Sequence, residues 1–123
     1  MDLEAKLADL LVFSQLSVHS KKRVFESAAE AFSDVSGLSR EAVYRGLLDR
    51  EKLGSTALGD GVAIPHWRID ECNAPRGSLI TLSNPVDFSS SDGQGVDIVL
   101  VLLVPFAFRC QTTVLRPSQD TTK

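Results

Sequence analysis

Apolar residues recur at helical spacing through the first half of the chain and in short β-like runs through the second. Leu3, Leu7, Leu10 and Leu11 fall three to four positions apart, which predicts a short amphipathic helix over 3–12. The alternation of polar and apolar residues over 14–18 predicts a short strand. Ser20 offers an N-cap, and Val24, Phe25, Ala28, Ala31 and Phe32 then line one face of a helix over 21–34. Ser36-Gly37 ends that element. Ser39 caps a further helix over 40–52, with Val43, Leu47 and Leu48 apolar and Arg40, Glu41, Arg45, Asp49 and Arg50 polar. Gly54 stands where a helix-terminating glycine belongs.

Beyond Gly54 the helical period disappears. Residues 62–64, 78–83, 86–88 and 98–104 are candidate strands, and 98–104 (IVLVLLV) is continuously apolar and β-branched, as a strand buried on both faces should be. Asn84-Pro85 and the 91–95 stretch SDGQG supply turn chemistry between them. Helices mixed with a central buried strand predict an α/β sandwich and not a helical bundle. No internal repeat is present. Residues 106–123 differ: they hold four of the six threonines, no glutamate and no hydrophobic period, and carry +2 while residues 1–105 carry −5. The expectation is one domain over 1–105 and a disordered tail over 106–123.

Composition narrows the partners. Thirteen basic and sixteen acidic residues leave a formal charge of −3, which argues against a nucleic acid held by counterion release. The longest apolar run is far shorter than the ~20 residues that span a bilayer, so no membrane insertion is expected. Met1-Asp2-Leu3-Glu4 opens acidic, without the basic start and apolar core of an export signal, so the cytoplasm is the expected location. Cys72 and Cys110 have no CxxC and no histidine at ligand spacing, and read as free thiols of a reducing compartment.

Candidate chemistry concentrates in DGVAIPHW, residues 60–67. A short apolar run stops at Pro65, which fixes φ, and presents His66 on a mount preceded by Gly59 and Gly61. A histidine so held can act as base, nucleophile or ligand; a hydrogen-bonded strand end is the plain alternative. Arg50 either completes a solvated last helical turn or offers a planar fork to a phosphate or carboxylate. Ser55 and Thr56 either form a turn or add hydroxyl donors. His19 has no neighbouring ligand, and no metal or other cofactor is expected. There is no P-loop and no G-x-S-x-G elbow. Trp67, the one tryptophan, is packing or a partner contact.

REKLGSTALGDGVAIPH, residues 50–66, resembles the active-site segment of the IIA domains of the bacterial phosphoenolpyruvate-dependent phosphotransferase system (PTS), fructose/mannitol class, and within it the nitrogen-regulatory branch. The matching positions are Glu51, Leu58, Gly59, Val62, Ala63, Ile64, Pro65 and His66. SKKRVFESAAEAF and DIVLVLLVP resemble the family's first long helix and a core strand, so the resemblance covers 1–105. It implies an α/β fold with a mixed β-sheet flanked by helices on both faces. It also implies a phosphocarrier in which His66 accepts a phosphoryl group from the phosphohistidine of an HPr-like carrier protein. Arg50 would steady the phosphoryl oxygens, with Ser55 and Thr56 completing the phosphate cradle. Downstream the resemblance implies a IIB domain or, in the nitrogen-regulatory branch, a regulated protein; whether the chain dimerises stays open.

Two departures stand beside the match. Trp67 replaces the small residue that usually follows the histidine, and is expected to narrow access to His66 or to change the partner surface. The family's second active-site histidine would fall at Thr112 or Thr113, and no histidine follows His66. The expectation is a C-terminal segment replaced or cut short, without the usual terminal helix, leaving part of the sheet's apolar face bare. The alternative function that follows is a regulatory protein-binding module with weak or lost phosphotransfer.

Overall fold

The computed structural model describes residues 10–69 and 75–105. Its elements run β1 (Leu11–Leu16), α1 (Lys21–Ser36), α2 (Arg40–Lys52), β2 (Ala57–Gly59), β3 (Val62–Ala63), β4 (His66–Arg68), β5 (Arg76–Val86) and β6 (Val96–Val104). The strands make a six-stranded mixed sheet in the order β1-β5-β6-β3-β2, with β4 also on β6. β5 and β6 are antiparallel, while β1 joins β5 and both β3 and β4 join β6 in parallel. The α/β class and the mixed sheet are those expected.

Both described helices are set by the caps read from sequence. Ser20 Oγ accepts from Arg23 N–H at 3.2 Å, and α1 runs on to Ser36, where Gly37 at φ 71° closes it. Ser39 Oγ accepts from Ala42 N–H at 3.2 Å and starts α2, whose bounds match the expected 40–52. Val24, Phe25, Ala28 and Phe32 of α1 and Val43 and Leu47 of α2 are fully buried. Each large side chain so buried contributes roughly 1.5–3 kcal/mol. They share one core with Ala63, Ile80, Val99, Val101 and Leu103 of the sheet. Register explains this set: Ala63 and Ile80 both pair Val99, Ser78 pairs Val101, and Trp67 pairs Leu103, so all point to one face. The reverse face carries Leu79, Leu100 and Leu102, half-buried, with Val12 and Ile98 exposed among the described residues.

The start of the chain corrects the helical expectation. Residues 3–9 lie outside those described, but Leu11 and Val12 belong to a strand, and that strand begins at 11 instead of 14. Pairing along β5, Leu11 with Ser78, Val12 with Leu79 and Phe13 with Ile80, overrides the four-residue spacing of the leucines. The strand's register slips between Phe13 and Leu16, around Gln15 at φ 58°, whose N–H is taken by Thr81 Oγ1 at 2.8 Å. The expected 78–83 strand is the middle of β5, Val86 of the expected 86–88 strand is its last residue, and β2 and β4 were too short to stand out. No helix of the described residues is long and apolar enough to cross a membrane. The expected tail, 106–123, lies outside the described residues, as do Cys72, Cys110, Thr112 and Thr113.

One close approach sets the spacing between α2 and β4. Gly46 is buried, and a Cβ placed on it would overlap the Trp67 indole. Helix propensity alone would favour Gly46→Ala by about 1 kcal/mol. Overpacking against a half-buried ring costs about 1–3 kcal/mol and decides the sign. Gly46→Ala is therefore expected to lower stability in denaturant titration followed through the fluorescence of Trp67. A more stable variant would show that the indole does not rest on Gly46.

Candidate active site

The local fold between Val62 and Ile69 is two strand fragments separated by Ile64 and a proline. β3 pairs Val62 and Ala63 with Ile98 and Val99, and β4 pairs His66 to Arg68 with Leu102 to Val104. Between them Pro65 has no N–H to give, but its carbonyl accepts from Leu102 N–H at 2.9 Å. Ile64 N–H turns the other way, to Thr56 O at 3.0 Å, and Ile69 N–H closes the run on Val104 O at 2.9 Å. The backbone on both sides of His66 is thus fixed to the central strand or to the loop entering β2.

His66 itself is exposed. Its Nδ1 lies 2.9 Å from the carbonyl oxygen of Ile64. A carbonyl can only accept, so this contact places the proton of the neutral ring on Nδ1 and leaves the lone pair on Nε2. His66, Arg50, Ser55 and Thr56 line one cleft of about 310 Å³, together with Ala57, Leu58 and Ile64. The end of α2, the following loop and the 62–66 segment therefore bring together all four residues singled out from sequence.

Their side chains are not equally available. Arg50 Nη1 donates to Gly54 O at 2.9 Å, which uses one of the five guanidinium donors. Thr56 gives both its N–H and its hydroxyl to the Glu51 carboxylate, at 3.1 and 2.8 Å. Ser55 Oγ donates to the carbonyl of Phe88 and accepts from Ala57 N–H at 3.1 Å. Glu51 stood in the sequence only as a motif position. Its partnership with Thr56, five residues on, has no periodic signal that could have shown it.

Trp67 corrects an expectation. Successive strand residues point to opposite faces, so Trp67 turns toward α2 and Gly46 while His66 turns away from it. The indole does not narrow the cleft at His66. His19 is exposed, and no group of three or more His, Cys, Asp or Glu that could hold a metal ion occurs among the described residues.

The glycines before His66 shape a hairpin. Gly59, Asp60 and Gly61 have φ of 97°, 55° and 82°, a left-handed run that closes the β2–β3 hairpin and that side chains other than Asn or Asp resist. The hairpin is clasped to the β5–β6 connection by Asp92. Its carboxylate accepts from Ser90 Oγ at 2.6 Å, Asp60 N–H at 2.9 Å and Gln94 N–H at 3.0 Å. The Ser90 hydroxyl first, then the Asp60 and Gln94 amides, hold its carboxyl down at about 2.

The chain matches the family described as "Phosphoenolpyruvate-dependent sugar phosphotransferase system, EIIA 2" over residues 6–115. It is 40% identical over 105 residues to the nitrogen regulatory protein of Bradyrhizobium diazoefficiens, covering 85% of this chain and 69% of that one. It is 44% identical over 89 residues to the nitrogen regulatory protein of Pseudomonas aeruginosa, covering 72% of this chain and 58% of that one. The crystal structure of nitrogen regulatory protein IIA-Ntr from Neisseria meningitidis superposes with a TM-score of 0.78 at 38% identity, over 93% of this chain and 77% of that one. The chain thus spans between 58% and 77% of the length of these relatives.

The Asp92 clasp generates a pH prediction. A carboxyl lowered in the folded state contributes stability that is fully present above about pH 4 and is lost as pH falls through about 2. Asp92→Ala is expected to unfold at lower denaturant at neutral pH, with the gap to the unaltered chain narrowing between about pH 4 and about pH 2. A gap of constant size across that window would show that the clasp does not depend on the ionised carboxylate.

Proposed function

Because the chain belongs to the EIIA 2 family of the phosphoenolpyruvate-dependent sugar phosphotransferase system, we propose that it is a cytoplasmic phosphocarrier with a regulatory role. It accepts a phosphoryl group on Nε2 of His66 from the phosphohistidine of an HPr-like carrier protein. The observation that carries this reading is the Nδ1 contact with Ile64 O, which leaves Nε2 of an exposed, backbone-fixed ring as the nucleophile.

The Nε2 lone pair forms the new P–N bond as the donor's P–N bond breaks, and that bonding pair returns to the donor's ring nitrogen. No proton has to move. The positive charge that appears on the His66 ring sits against the Ile64 carbonyl, which a charge-assisted hydrogen bond favours. The charge on the transferring group is spread over its equatorial oxygens and calls for positioning and neutralisation more than for acid–base work. Arg50 has N–H donors beyond the one given to Gly54 O and would pair with those oxygens. Ser55 and Thr56 shape the cleft; as direct phosphate donors they would have to give up their hydroxyl contacts with Phe88 and Glu51. The phosphoryl group would pass on to a IIB domain, or its presence would set the binding of a regulated protein.

A second reading is favoured by one observation. Leu58, on the cleft wall, and Leu53, at the end of α2, are 68% and 82% exposed, an apolar surface suited to a protein partner. On that reading the chain is a regulatory binding module whose phosphotransfer is weak or lost.

Incubation with phosphoenolpyruvate and the upstream carriers tests the first reading. An acid-labile, base-stable phosphate on the chain, absent from His66→Ala, is the expected result. Equal labelling of His66→Ala would move the acceptor elsewhere. No labelling of the unaltered chain, with a partner protein still bound, would favour the second reading.

A further inference from the structure

Glu51 stands in the last turn of α2, directly after Arg50, yet its side chain is only 5% exposed. An ionised carboxylate there is doubly disfavoured. Burial costs unless every oxygen is partnered, and the C-terminal end of a helix already carries partial negative charge. The structure meets that cost with three donors. Lys21 Nζ, from the first turn of α1, lies 3.2 Å from Oε2; Thr56 N–H lies 3.1 Å from Oε2; and the Thr56 hydroxyl lies 2.8 Å from Oε1. Lys21 is itself placed over the Phe88 ring, 5.3 Å from its centroid.

These contacts converge on the loop that joins α2 to β2. That loop anchors the cleft in two directions. Its Thr56 carbonyl receives Ile64 N–H at 3.0 Å, and the Ile64 carbonyl in turn receives Nδ1 of His66 at 2.9 Å. Its Gly54 carbonyl receives Arg50 Nη1 at 2.9 Å. The ring and the guanidinium are therefore both referenced to residues 54–56, and Glu51 is the side chain that clamps this loop to the two helices. A helix-end ion pair made only for stability would not need two donors from Thr56.

We propose that Glu51 is a positioning residue for phosphoryl transfer, acting through Thr56 to set the orientation of His66 and, through the same loop, of Arg50. The proposal rests on the reading of His66 as the acceptor. It assigns Glu51 no contact with the phosphoryl group. Its removal should slow the transfer step without weakening the encounter with the donor protein, since a misplaced acceptor loses near-attack geometry while the exposed docking surface is unchanged.

The test is single-turnover transfer from a phosphorylated HPr-like carrier to the full chain, together with the ¹⁵N shifts of the His66 ring. Glu51→Ala is expected to cut the transfer rate about ten- to hundredfold, with the half-saturating carrier concentration unchanged. Its ring is expected to lose the strict Nδ1–H tautomer. Glu51→Gln, whose amide oxygen can still accept from Thr56, should recover part of the rate. A wild-type rate in Glu51→Ala overturns the proposal, as does a fall confined to the half-saturating concentration. If the unaltered chain takes no phosphate, the acceptor reading fails; an unchanged tautomer in Glu51→Ala then overturns the clamp separately, and a mixed one supports it. If Glu51→Ala does not fold by Trp67 fluorescence, Thr56→Val decides. It removes only the hydroxyl contact, and a slower transfer supports the clamp while an unchanged rate overturns it.

Discussion

The parallel pairing of residues 62–69 along β6, broken once at Pro65, is the constraint on which the rest of the site depends. β6 is the most committed strand in the sheet: it pairs β5 along one edge and both β3 and β4 along the other. A chain that only continued this pairing would bury His66 in an ordinary ladder. Pro65 removes one donor and keeps its carbonyl on Leu102, while Ile64 N–H points to the other edge, where Thr56 O extends the antiparallel β2–β3 pairing by one step. That contact ties the segment bearing His66 to the loop at the end of α2. Without it Arg50 and His66 would sit on separate elements with no shared reference.

The side on which each residue falls follows from the same pairing. A strand's two-residue period puts His66 and Trp67 on opposite faces. The indole is spent on packing against Gly46, one helical turn before Arg50, so the large ring beside the proposed acceptor fixes how far α2 stands from β4. In sequence a bulky residue after the histidine looks like an obstruction. In the fold it acts from behind, on the distance between the two elements that line the cleft. The complementary glycine is the condition for that placement.

Much of this was legible because it is local. Ser20 and Ser39 capped the helices where the pattern put them, and the continuous apolar run of 98–104 marked the central strand. The residues drawn to one cleft, Arg50, Ser55, Thr56 and His66, were legible through the resemblance of 50–66 to a known family and not through any period. What stayed hidden is what depends on distant partners. Leu10 and Leu11 keep helical spacing with Leu7, yet pairing with β5 draws Leu11 into a strand. The glycines around Asp60 were legible only as a mount preceding His66; that Asp92, thirty-two residues on, takes the Asp60 amide and clasps their hairpin was not. Side-chain contacts of that range leave no pattern in the chain that a single sequence can show.

The polar groups of the cleft divide into those that face the proposed chemistry and those that hold the frame, and electrostatics explains the division. A group meant to receive a dianionic phosphoryl must not meet a buried negative charge, and Glu51 is one residue from Arg50. Its charge is contained by Lys21 on one side and the two Thr56 donors on the other. That containment leaves Arg50 as the cation of the cleft wall among the described residues, with Lys21 drawn off to Glu51 and Phe88. Burying a carboxylate so close to the proposed phosphate site is costly, and a neutral side chain of the same size would hold the helix end with less desolvation. The arrangement makes physical sense if the loop it clamps must be held more rigidly than stability alone would require.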